Sequence, residues 1–184
     1  MTRVTQALFL ALALVMPATA GEETRTPPPW APAEAIVGPL PLEEFALRLP
    51  LWEEKAHGWT VAPETLERLR RAKPARIEVV FGSWCQDSYD HLPPLVAAFR
   101  AAANPGLQLM LVGVDRKKQD PTGAAARLGV TRVPTVVVFR DDGELGRVVE
   151  TPATTMDLDV ARLLHAVRTD PPERPALPAP PATR

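Results

Sequence analysis

The sequence predicts an α/β domain, a central mixed sheet flanked by helices, and three observations carry that expectation. Ile77, Val79, Val80 and Phe81 make a nearly continuous apolar run, as suits a strand buried on both faces of a sheet, and LQLMLVGVD at 107–115 is a second such strand. The stretch after each run reads as a helix, giving the order βαβα. Downstream, TVVVFRDDGELGRVVE at 135–150 reads as two strands joined by Asp141, Asp142 and Gly143, the Asp-Gly pairing favoured in tight hairpins. A chain of 184 residues, 46% apolar and 23% charged, suits one globular domain of this kind.

Taken in order, residues 1–20 carry Arg3, the apolar run Ala7 to Met16, and then Pro17, Ala18, Thr19 and Ala20 ahead of Gly21. That three-region pattern predicts a secretory signal peptide, so a periplasmic or secreted protein is expected. The apolar run of about ten residues is too short to span a bilayer as a helix, so no membrane anchor is expected after cleavage. Residues 21–61 read as a Pro-rich arm packed on the domain, with Phe45 to Trp52 able to form a turn or two of helix, and Trp30, Trp52 and Trp59 expected to pin it. The domain proper is expected over 62–169. It opens with PETLERLRRAK, an amphipathic helix with Pro63 in its first turn and Leu66 and Leu69 three apart.

After the first strand, CQDSYDHLPPLVAAFRAAA reads as a helix with Leu92, Leu95, Val96 and Phe99 on one side and a kink at Pro93 and Pro94. Asn104, Pro105 and Gly106 end it. PTGAAARLGV, after the second strand, is a short helix closed near Gly129. A last helix over 154–168 places Leu158, Leu163, Leu164 and Val167 to cover the sheet, and the Pro-rich tail 170–184 is expected to be disordered.

The formal net charge of -1 gives no reason to expect a nucleic acid partner. The chain has one cysteine, Cys85, so no internal disulfide is possible. An exported free thiol is either buried and inert or exposed and used. At the first turn of a helix it sits near unpaired backbone N–H groups and the positive end of the helix dipole, which makes it a nucleophile candidate, whereas the nearby Asp87 carboxylate acts against a second negative charge. A metal site of Cys85, Asp87 and His91 is disfavoured. Asp87 and His91 face each other one helical turn apart and form the commoner surface pair, while Cys85 points elsewhere. No cofactor is implied.

Three separated places resemble the thioredoxin superfamily. Trp84 and Cys85 follow a buried strand and open a helix, as the WCxxC motif does, with Ser88 where the second cysteine would stand. Pro93 lies eight residues beyond Cys85, like the proline in that family's active-site helix. RVPTVVVF matches the segment whose cis-proline faces the thiol, making Pro134 the candidate. In finer detail, WCxDS (Trp84, Cys85, Asp87, Ser88), VDRK (Val114 to Lys117), GELGRVVE (Gly143 to Glu150) and WEEKAHGWTVAPETLERL look like a bacterial exported subgroup with a single-cysteine site.

The resemblance implies Cys85 and Ser88 as catalytic residues, and Trp84, Asp87, Val133, Pro134 and Thr135 as the lining of a substrate groove. It implies thiol–disulfide exchange with a partner protein or small thiol, or else a binding or folding-helper module that keeps only the groove. Val79 stands where thioredoxin has a buried aspartate, and Ser88 cannot resolve a mixed disulfide, so turnover needs an outside thiol. Arg116, Lys117, Arg147 and Glu150 fall near the same sheet edge, with their roles open.

Overall fold

A computed structural model describes residues 27–166. Residues 1–20, for which a signal peptide is expected, the first residues of the arm, the end of the expected last helix and domain at 167–169, and the tail lie outside the described residues. Five strands form one mixed sheet: β1 (Gly38–Leu40), β2 (Ala75–Phe81), β3 (Leu107–Gly113), β4 (Thr135–Arg140) and β5 (Gly143–Val149), in the spatial order β1-β3-β2-β4-β5. β2 and β3 run parallel, and the other pairs are antiparallel. Among the described residues six α-helices accompany the sheet: α1 (Phe45–Arg48), preceded by a 3-10 turn at Leu42–Glu44, α2 (Pro50–His57), α3 (Pro63–Arg71), α4 (Gln86–Ala102), α5 (Ala124–Arg127) and α6 (Met156–Leu163). With α4 crossing between β2 and β3, and a closing hairpin and helix, the fold is thioredoxin-like.

The alternation of β2 divides two cores. Ile77, Val79 and Phe81 face the larger one, with Leu92, Leu95 and Val96 of α4, Met156 and Val160 of α6, and Leu164 just after it. Val80 faces the smaller one, with Val137, Ala125, Leu128 and Val133. Met156 and Val160 of α6 and Leu164, which caps it, are buried, whereas Leu158 and Leu163 are only half-buried. α4 continues through Pro93 and Pro94 and ends on Ala103, which adopts a left-handed conformation at φ 47°.

The Pro-rich arm reaches into the main core. β1 pairs with the end of β3, and Ile36, Leu40, Phe45, Leu49 and Trp52 are all at most 3% exposed. At Gly113 the Ile36 carbonyl approaches so closely that a Cβ would collide with it. The aromatic pins divide as follows: Trp30 stacks on Tyr89 with centroids 4.8 Å apart, Trp52 donates its indole N–H to the Trp30 carbonyl at 2.9 Å, and Trp59 donates to Asp157 at 3.3 Å.

The hairpin differs from the expected turn chemistry. Its two left-handed positions are Asp141 (φ 47°) and Asp142 (φ 60°), while Gly143 is already in β5, paired with Arg140. Short aspartates tolerate positive φ well enough to take both turn positions.

Asp120 organises the loop into α5. Its carboxylate accepts the backbone N–H groups of Thr122 at 2.9 Å, Ala124 at 3.2 Å and Ala125 at 2.9 Å. Burial opposes its ionisation, but the Thr122 side chain and these N–H groups outweigh that and hold the carboxyl below its ordinary value. Its stabilisation is therefore present above the unfolded value near pH 4 and lost as pH falls through the lower folded one. Asp120→Ala is expected to cost about 1 kcal/mol, read by urea unfolding at pH 7, as for loss of a helix cap.

Candidate functional site

The candidate site lies where β2 ends. The chain turns at Gly82 and Ser83, and Cys85 occupies the N-cap position of α4 in an extended conformation (φ -98°, ψ 127°). Its thiol is half-buried and lies 3.3 Å from the Val133 carbonyl oxygen, to which it donates. The Val133–Pro134 peptide bond is cis. Cys85 and Val133 in the loop before β4, forty-eight residues apart, thus meet across the sheet end.

Trp84 is fixed between neighbours. Its indole N–H donates to the Val114 carbonyl at 3.0 Å, and its ring fills the space at Gly82 so closely that a Cβ there would lie 2.8 Å away. The Arg116 guanidinium sits over that ring, 5.0 Å from its centre.

The remaining candidates divide by direction. Ser88 is fully buried, and its hydroxyl accepts the Gly82 N–H at 3.2 Å, so it braces the turn and faces away from solvent. Thr135 is 2% exposed and donates its hydroxyl to the Arg132 carbonyl at 2.7 Å, which shapes the proline loop from inside. Val133 and Pro134 are buried, and the Pro134 carbonyl accepts the Glu150 N–H at 2.7 Å. Asp87 is half-buried in the first turn of α4. The expected Asp87–His91 pair does not form among the described residues. The acid bound on this helix is Asp90, held by Lys55 at 2.6 Å and by Gln86 at 2.9 Å.

Arg147 and Glu150 have local partners. Arg147 binds Glu144 at 2.6 Å and the Leu128 carbonyl at 2.9 Å, and Glu150 pairs with Arg132 at 2.9 Å. Among the described residues no group of three or more His, Cys, Asp or Glu side chains is arranged to hold a metal ion, and no helix is long and apolar enough to cross a membrane.

One feature had no sequence expectation. Glu78, in the middle of β2, is 1% exposed and is held by Arg76 of its own strand and by Arg127 of α5, the latter at 2.6 Å. A carboxylate inside an apolar run was the only available signal.

The chain matches no family model and no curated protein. It is similar to solved structures. A Pseudomonas aeruginosa protein of unknown function is 22% identical, with 68% of this chain and 84% of that one covered and a TM-score of 0.48. Thioredoxin O2 from Arabidopsis thaliana is 16% identical over 54% of this chain and 82% of its own, with a TM-score of 0.39. A mutant thioredoxin from Halobacterium salinarum is 20% identical over 50% and 74%, with a TM-score of 0.36. Likeness of this degree carries no statement about activity, and the thioredoxin-like assignment stands on the strand order and crossover described above.

Proposed function

We propose that this is an exported protein that uses Cys85 for thiol–disulfide exchange with a partner protein or a small thiol. One observation carries the reading: the chain's single cysteine stands half-exposed at the start of α4, its thiol facing the Val133 carbonyl, with no second cysteine to compete for it. Deprotonated, it would attack one sulfur of an incoming disulfide. The new S–S bond forms as the old one breaks, and the departing half leaves as a thiolate. Ser88 offers no sulfur for a second attack and faces inward, so an outside thiol must release the adduct. Export rests on the pattern of residues 1–20, and placement in the periplasm or outside the cell follows from it.

The test is alkylation and trapping of the folded protein at pH 7. Cys85 is expected to react about tenfold faster than free cysteine and to form a mixed disulfide with oxidised glutathione. A sulfur no faster than free cysteine that traps no glutathione would overturn the proposal.

A second reading, a groove-binding or folding-helper module, is favoured by the same contact. The thiol hydrogen bond to Val133 exists only while the sulfur is protonated, and a protonated sulfur is not a nucleophile. Full function of Cys85→Ser in a cellular assay would select this reading over the redox one.

A further inference from the structure

The charged side chains of α4, of the end of the hairpin and of the loop after β3 are not equivalent. Glu150 is neutralised by Arg132 at 2.9 Å, Arg147 by Glu144 at 2.6 Å and Asp90 by Lys55 at 2.6 Å. Arg116 is exposed and forms no ion pair among the described residues, yet its guanidinium is not adrift, because it lies on the face of Trp84. Trp84 is itself held by the Val114 carbonyl and by the close fit at Gly82. A cation on an aromatic face is favoured and keeps its remaining N–H groups free to bind carboxylates. Lys117 is exposed on the same loop, and Asp115, the nearest acid in sequence, turns its carboxylate to the backbone N–H groups of Lys117 and Gln119, each at 2.8 Å. Asp87, two residues after Cys85, is half-buried in the first turn of α4.

We infer that the disulfide attacked by Cys85 is flanked by carboxylates, and that Arg116, braced on Trp84, is the residue that selects it. This inference rests on the thiol-exchange reading above. The exchange itself is unchanged: one S–S bond forms at Cys85, one breaks in the substrate, and the leaving thiolate takes up the proton that Cys85 gave to solvent. The disulfide is the oxidant, so no further reagent is needed. Arg116 acts before the bond changes, by holding the anionic disulfide within reach of the sulfur.

The experiment compares three small symmetrical disulfides that differ in charge, dithiodipropionate (anionic), hydroxyethyl disulfide (neutral) and cystamine (cationic). Each rate is divided by that of the same disulfide with a small reference thiol. At low ionic strength the protein is expected to favour the anionic probe over the neutral one by about fivefold and to disfavour the cationic probe. Arg116→Gln is expected to erase the preference while leaving the neutral rate within about twofold, and added salt should do the same to the unaltered protein. Oxidised glutathione and an aspartate-flanked peptide disulfide, run in the same assay, distinguish a small-molecule source from a polypeptide one by which loses more rate in Arg116→Gln. Loss with neither overturns the inference, as does a preference that survives the substitution or is absent from the start. If hydroxyethyl disulfide itself fails to react with the unaltered protein, the exchange reading falls as well, so the two failures are told apart.

Discussion

Trp52→Ala is expected to lower the unfolding free energy by about 3–5 kcal/mol, the usual cost of truncating a buried aromatic. Trp52 is fully buried and meets Phe81 and Tyr89 edge-on, with ring centroids 5.8 Å and 5.7 Å away. Alanine leaves a void against both rings and strips the Trp30 carbonyl of its indole donor. The damage should reach the candidate site, because Phe81 ends β2 beside the Gly82 turn and the Tyr89 N–H bonds the Cys85 carbonyl at 3.1 Å. Urea unfolding gives the loss, and Cys85 alkylation measured below the unfolding transition gives the local effect. A cost under about 1 kcal/mol would mean that the arm is a detachable cover.

The role of that arm was only partly legible in the sequence. Its strand has three residues and its helices four and eight, punctuated by prolines, so no period is sustained long enough to announce a core. The burial of Phe45 and Trp52 is decided by α4 and β2, which lie far along the chain. By contrast β2, α4 and β3 were legible because their apolar spacing extends over seven to seventeen residues and reports burial directly. The hairpin was legible as a hairpin. The placement of its left-handed residues one position earlier, at Asp141 and Asp142, depended on the register with β4, which local dipeptide preference does not encode.

At the site, the meeting of Cys85 with Val133 followed from motif resemblance, since both stand where the thioredoxin pattern puts them. Directions of side chains did not follow. Whether Ser88 faces the sulfur or the Gly82 N–H, and whether Thr135 lines a groove or caps Arg132, is set by a few torsions that a motif leaves open. The Arg116 stack was similarly illegible, because a charge in a loop gains a role only from the ring it lands on.

Glu78 extends this point to a buried charge, where removing different partners should have opposite consequences. The carboxylate is buried, but its cations reach water: side-chain exposure is 32% for Arg76 and 55% for Arg127. Removing both arginines by Arg76→Ala with Arg127→Ala strands an unpaired carboxylate under the sheet face, which is expected to cost about 3–5 kcal/mol. That loss should shrink in acid, where protonation removes the stranded charge. Glu78→Met instead removes the charge that had to be desolvated and leaves two half-exposed arginines free to hydrate. Its effect is expected to lie within about 1 kcal/mol of zero and can be stabilising. Denaturant unfolding of the three proteins at pH 7 and pH 5 separates the cases. If Glu78→Met were the costlier change, the carboxylate would be the organiser of α5 through Arg127, and the loop that α5 feeds, Arg132 to Thr135, would lose its order with it. In that event Cys85 alkylation would change in Glu78→Met and in the double arginine variant alike, since both break the Glu78–Arg127 pair, whereas a mere charge-pairing role leaves the thiol rate the same in Glu78→Met.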